Sequence, residues 1–234
     1  MKGKLFFLVI FLIFTSSVFS ESPSSSSKAK RLLYKEIYKD HNETFYCGCS
    51  YTGKVVDLES CNYEVRKNTK RAKRIEAEHI VPAYWIAHLT EKGRACWSKG
   101  TKLKGINGRK YCEKNNPEFK QAHNDLMNLV PSIGEVNGDR SNYKFSMIES
   151  EERKYGACDF EIYKNKKTKV KIAEPPLNSR GDIARIYFYM QDKYGLEFTD
   201  ETFYLMKYWN EIDPIDEWEK ERIRRIEKIQ SKRL

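Results

Sequence analysis

An α+β class, mostly helical and built as one domain, is predicted by two observations. Long segments of helical periodicity outnumber the short alternating ones, and no internal repeat divides the chain. The run "KAKRLLYKEIYKDHN" places Leu32, Leu33, Ile37 and Tyr38 on one face and predicts the first helix. "TGKVVDLES" and "KRIEAEHIVP" are short strand candidates, and "YKNKKTKVKIAEPP" alternates as an exposed hairpin or edge strand would. "NSRGDIARIYFYMQDKYG" lines up Ile183, Ile186, Tyr187 and Met190 and stops at Gly195, a natural helix C-terminus. "FTDETFYLMKYWNEI" predicts another helix. The last, "DPIDEWEKERIRRIEKIQSKRL", is expected to start with Asp213 as its cap and Pro214 in its first turn.

The N-terminus has a different character. Lys2 and Lys4 precede an unbroken apolar run, Leu5 to Phe14, and small or neutral residues follow up to Ser20. That layout predicts a cleaved secretory signal over residues 1–20, the run being shorter than the about 20 residues needed to span a bilayer. "ESPSSSS", residues 21–27, reads as a disordered polar linker, and residues 28–234 as the domain. The mature chain is thus expected in a periplasm or outside the cell, with no membrane attachment.

The chain carries 43 Lys and Arg against 33 Asp and Glu, a formal charge of +10; removal of Lys2 and Lys4 leaves +8. Such an excess favours an anionic partner, because contacts with phosphates release condensed counterions. Charge alone does not separate a nucleic-acid binder from a lysine-rich surface. Six cysteines, Cys47, Cys49, Cys61, Cys96, Cys112 and Cys158, in an exported chain predict disulfides rather than zinc, since no Cys-x-x-Cys pair is present. Of the possible pairings only Cys96 with Cys112 stands out, closing the loop "SKGTKLKGINGRKY".

Two stretches do not read as core builders. One is "RIEAEHIVPAYW"; the other is "NDLMNLVPSIGEVNGDRSNYKF", dense in Asn, Asp and Gly. Phosphodiester hydrolysis would use both. It needs a neutral imidazole to deprotonate water, a hard cation on oxygen ligands such as Glu and Asn, and a guanidinium for the phosphate. Glu78 and His79 pose a geometric problem, because adjacent residues on a regular strand face opposite ways. The strand is therefore expected to end, twist or bulge there, and Pro82 agrees with pairing that stops.

"YCGC", "CNYEVRK", "RIEAEHIVPA", "GRKYC", "DLMNLVPSIGEVNGDRSN" and "GDIARIYFYM" together resemble the bacterial endonuclease I family over Tyr34 to Glu219. These are periplasmic or secreted non-specific nucleases of the ββα-metal, or His-Me finger, superfamily. The resemblance implies that His79 is the general base and that Glu78 and Asn137 are the protein ligands of one divalent cation. Magnesium is the expected ion, with manganese or calcium as substitutes. It implies that Arg109 contacts the scissile phosphate, and that Asn128 stands behind the site, holding the strands and orienting the base. Arg71, Arg74, Arg140 and Arg180 are rivals for phosphate contact. Glu76 could assist the cation but reads rather as a solvated carboxylate, and His41, His88 and His123 as surface or core residues.

The implied function is metal-dependent, sequence-independent cleavage of DNA, and of RNA as well, by a monomer. No base-reading module is recognisable, in keeping with backbone-led binding. The rival is an exported nucleic-acid-binding protein without catalysis, which would need the charge but not Glu78, His79 and Asn137 together. A toxin nuclease is disfavoured because no receptor-binding or translocation segment is recognisable.

Overall fold

A computed structural model describes residues 21–149 and 152–231. The expected signal, residues 1–20, lies outside them. In chain order the elements are α1 (Ser26–Leu32), running into a π-helical turn at Leu33–Ile37, then β1 (Tyr51–Thr52), β2 (Val55–Val56), α2 (Thr69–Ala72) and β3 (Ile75–His79). Four helices follow: α3 (Ala83–His88), α4 (Glu91–Thr101), α5 (Gly108–Asn115) and α6 (Pro117–Asn124). Next come β4 (Leu129–Ile133), α7 (Gly134–Arg140), β5 (Lys144–Phe145), β6 (Glu161–Lys164) and β7 (Lys171–Glu174). The chain closes with α8 (Arg180–Tyr194), α9 (Asp200–Ile212) and α10 (Glu217–Gln230).

The α+β, mostly helical class is as expected. The strands form small separate sheets: β1–β2, the antiparallel pair β3–β4, and β5–β7–β6. Local chemistry explains where most helices begin. α1, α2, α4, α5, α6, α9 and α10 each start on a Ser, Thr, Asn or Asp whose side chain accepts a first-turn amide. Gly195 ends α8 at φ 61°, the left-handed conformation that favours glycine.

Two apolar clusters hold these elements. The larger gathers Ile133 and Val136 with Tyr155, Phe160, Ile183, Met190 and Trp209. The second joins Leu33, Ile37 and Tyr38 to Leu126, Leu129 and Ile226, clasping the N- and C-terminal helices over the start of β4. The disulfides are Cys47–Cys158, Cys49–Cys61 and the expected Cys96–Cys112.

Three expectations need correction. Residues 21–27 are not a loose linker, because Ser22 is buried and Ser25 caps α1. The Ser22 hydroxyl donates to Asp125, and the Glu21 amide donates to the Gln230 carbonyl. The last helix is capped by Asp216, not Asp213, whose carboxylate instead accepts the Gly181 amide at 2.8 Å. The stretch between Cys96 and Cys112 is largely helix, the adjoining ends of α4 and α5, rather than an open loop.

Asp182 on α8 supplies a test of the packing between α8 and α10. Burial, reinforced by Glu219, pushes its carboxyl up to about 7 against the pull of Arg222 and Arg185. The fold therefore retains a proton that the unfolded chain releases near pH 4, so this residue subtracts stability as pH rises toward 7. Asp182→Asn is expected to stabilise the protein on the order of 1–3 kcal/mol at pH 8, with the gain vanishing near pH 4. Urea unfolding at the two pH values checks this, and an equal gain at both would contradict it.

Candidate active site

The site is built on β3, β4 and α7, a strand pair that runs directly into a helix. In the antiparallel register Glu78 lies opposite Val130 and His79 opposite Leu129. The ladder ends at His79, where the expected break in pairing is found. Beyond it the Ile80 amide donates to the Asn128 carbonyl. The Asn128 amide then brackets Val81, with Oδ1 accepting its N–H at 2.7 Å and Nδ2 donating to its C=O at 2.9 Å. A side chain thus continues the pairing that the backbone ladder has given up, and it fixes the chain just past His79.

Helix α7 is anchored along its length. Glu135 accepts the consecutive amides of Arg66, Lys67 and Asn68 and the Tyr63 hydroxyl. Asp139 receives Arg66 and Tyr155. At Gly138 a Cβ would lie 2.0 Å from the Arg71 guanidinium, so any larger residue would displace that side chain from its path across the helix. Arg140, fully buried, donates to Glu78 Oε1 at 2.8 Å and to the carbonyls of His79 and Ile80, each at 2.6 Å. Its guanidinium also sits over the Phe145 ring. Tyr46 donates a longer hydrogen bond to the same Glu78 oxygen. Burial raises the Glu78 pKa above the ordinary carboxylate value despite Arg140.

Glu78 and His79 occupy different surroundings. Glu78 meets Arg140 and Tyr46, whereas His79 packs against His123 with ring centroids 4.6 Å apart. The His79 Nε2–H donates to the His123 carbonyl at 2.8 Å. A carbonyl can only accept, so Nε2 carries the proton and Nδ1 keeps the lone pair. Burial, with His123 and Arg109 nearby, holds the imidazole pKa well below its usual value, so His79 is neutral at pH 7.

Arg109 opens α5 and reaches the same region. Its helix is pinned to α4 by Cys96–Cys112 and by Gly108, where a Cβ would lie 2.6 Å from the Trp97 ring. Arg109 Nε donates to His123 Nε2 at 2.8 Å. Among the described residues this is the side chain's one hydrogen bond, and it has no ion pair. Burial lowers the guanidinium pKa, with Glu113 and Glu78 acting in the opposite sense.

Asn137 is placed by Glu76 rather than by Glu78. Its Nδ2 donates to Glu76 Oε2 at 3.0 Å, which turns the Oδ1 end away from that carboxylate. Glu76 and Glu78 share one face of β3, and Asn137 and Arg140 lie one helical turn apart on α7. The two oxygen donors, carboxylate Glu78 and amide Asn137, therefore come from adjoining elements.

Several expectations are corrected here. Glu76 is not merely solvated: Arg71 binds it through two nitrogens, Arg74 binds it too, and together they lower its pKa against burial. Arg71 and Arg74 are committed to Glu76, Arg140 to Glu78 and Arg180 to Glu174, so Arg109 alone of the five candidates has no carboxylate partner among the described residues. His123 is a core residue, and it also touches both His79 and Arg109. Nothing in "KQAHNDL" marked it, because its contacts with Arg109 and His79 come from α5 and β3. His41 and His88 do stack on Trp218 and Tyr84 away from the site.

The family model described as Endonuclease I matches residues 25–233, nearly the whole chain. The chain belongs to the endonuclease I family. Among its relatives in this family are an extracellular deoxyribonuclease of Aeromonas hydrophila, 44% identical over 87% of this chain and 85% of that protein. A periplasmic deoxyribonuclease of the same species is 42% identical over 83% of this chain and 78% of its own. Endonuclease-1 of Buchnera aphidicola subsp. Acyrthosiphon pisum (strain APS) is 38% identical over 92% and 81%. In this endonuclease I homologue the α7 segment "GEVNGDR" ties helix, strand and preceding loop together.

Loss of the Arg140 guanidinium should be felt throughout this scaffold. Arg140→Met would leave Glu78 buried without its partner and two carbonyls without a donor, and is expected to cost about 3–5 kcal/mol. Combining it with Glu78→Gln should restore part of that loss. Urea denaturation of the three variants measures both effects, and an unchanged midpoint for Arg140→Met would refute the assignment.

Proposed function

We propose that this protein is an exported endonuclease that hydrolyses phosphodiester bonds of DNA, and of RNA as well, with one divalent cation per site and little sequence preference. One juxtaposition carries the reading: a part-buried guanidinium without an anionic partner among the described residues, beside a buried neutral imidazole with its lone pair on Nδ1. An uncompensated buried cation is costly and calls for an anion. A phosphate supplies one in the geometry a guanidinium fits. The exposed Lys164, Lys166, Lys167, Lys169 and Lys171 on the β6–β7 hairpin add a charged surface suited to a polyanion. Relatives that are periplasmic and extracellular deoxyribonucleases support both the substrate and the destination, and the N-terminal sequence pattern supports the destination.

The donor chemistry fits a hard cation. Glu78 and Asn137 offer oxygens, and both side-chain hydrogen bonds accepted by Glu78 fall on Oε1. Two oxygen donors suit magnesium, an ion that keeps much of its water. Once bound, such an ion would offset negative charge developing on the phosphoryl and leaving oxygens. Arg109 would hold the scissile phosphate. His79 Nδ1 would take a proton from the attacking water while its Nε2–H stays on the His123 carbonyl. Attack forms the new P–O bond as the bond to the leaving ester oxygen breaks.

Plasmid cleavage by purified protein tests the reading against a non-catalytic DNA-binding function. Cleavage is expected with magnesium and should stop with EDTA. Glu78→Gln and Asn137→Ala should each lose most activity, and the double variant should be little worse, since they would serve one element. Full activity in EDTA, or losses that simply multiply, would overturn the shared-cation reading.

A separate variant isolates the base. His79→Ala should slow turnover about 10²–10⁴-fold while leaving affinity for duplex DNA nearly unchanged. A wild-type rate would mean that another group activates the water.

A further inference from the structure

We propose that His123 is the positioning residue of the site, setting the phosphate-binding arginine and the general base in register with each other. The proposal rests on the reading of Arg109 and His79 given above. His123 sits on the last turn of α6, between the two groups, and serves each through a different part of itself. Its carbonyl accepts the His79 Nε2–H at 2.8 Å, and its ring nitrogen Nε2 receives Arg109 Nε–H at 2.8 Å.

The proton positions follow from the donor inventory. A guanidinium can only donate, so His123 Nε2 must offer a lone pair. A neutral imidazole has one N–H, which must therefore lie on Nδ1, and that nitrogen faces Asn124 Oδ1 at 2.9 Å. Asn124, itself fully buried, thereby selects the tautomer that can receive Arg109. The ring is held flat by stacking on Phe119, with centroids 5.3 Å apart and planes 22° from parallel. It is also buried, leaving little freedom to turn.

The choice of an uncharged acceptor has a specific effect. A carboxylate at this place would orient Arg109 but also neutralise it, competing with a phosphate for the same charge. Imidazole nitrogen orients Nε and leaves the charge uncompensated. Because Nε is occupied, the two Nη groups remain to address the phosphate as a pair.

Plasmid cleavage with magnesium by four variants tests this: His123→Phe, His123→Gln, Arg109→Ala and the double variant Arg109→Ala/His123→Phe. Phenylalanine keeps the ring stack but has no acceptor, whereas the glutamine amide oxygen can accept. His123→Phe is expected to lower kcat about 10- to 100-fold through misplacement of Arg109. Glutamine should recover most of that loss, and in the Arg109→Ala background the His123→Phe change should cost less than about threefold. Thermal unfolding is checked first, and His123→Leu replaces the phenylalanine variant if that one does not fold. A wild-type rate for the variant without an acceptor, no recovery by glutamine, or losses that multiply with Arg109→Ala would overturn the proposal alone. No loss from Arg109→Ala by itself would remove the reading of Arg109, and the proposal with it.

Discussion

The buried guanidinium of Arg140 is the contact on which the geometry of the site depends. It joins α7 to the end of β3 through one carboxylate and two consecutive backbone carbonyls. Those carbonyls belong to His79 and Ile80, where the strand ladder stops and ordinary pairing no longer fixes the chain. A planar donor with a fork of N–H groups can hold three acceptors at such a place; an ammonium could not do so in one plane. Glu78 of β3 supplies the counter-charge, and the acidic residues of α7, Glu135 and Asp139, secure the helix to the loop that precedes α2.

A strand that ends at its functional residue resolves a conflict that a regular strand would impose. Successive side chains on β3 must point apart, and they do: Glu78 turns toward α7 while His79 turns toward α5 and α6. The site is therefore assembled around the edge of the strand pair rather than on one face. Asn128 makes this workable by pairing with the backbone of Val81 through its amide. Every group named in the site is held by a helix, a strand end or a disulfide-pinned pair of helices.

Much of this was legible in the sequence because it is local. The α8 stop at Gly195, the β6–β7 hairpin and the Cys96–Cys112 pair follow from spacing and turn chemistry, and resemblance singled out "EAEHIVP" and "GEVNGDR", which the fold brings together. What was missed depends on contacts between distant segments. Glu76 looks solvated until two arginines and Asn137 close on it. His123 has no neighbours in sequence that announce a role, since the two site residues it contacts, Arg109 and His79, lie 14 and 44 residues away. Ser22 and Pro23 sit in a stretch whose composition suggests disorder, yet both are buried in the fold. Asp213 is a good helix cap by residue type, but the α8 amide claimed it first.

The covalent connectivity has a topological consequence. Cys47 and Cys158, 111 residues apart, close a ring that contains Glu76, Glu78, His79, Arg109, His123, Asn128, Asn137 and Arg140. A single backbone cut anywhere between those cysteines opens the ring but leaves the two resulting chains joined through sulfur. The exposed segment between α4 and α5 around Leu103 and Ile106, the kind of loop a protease attacks, lies within this ring and also within the smaller one closed by Cys96 and Cys112. A nick there leaves its two new ends joined twice over through sulfur, so Arg109 stays tethered beside α4 after the peptide bond is gone.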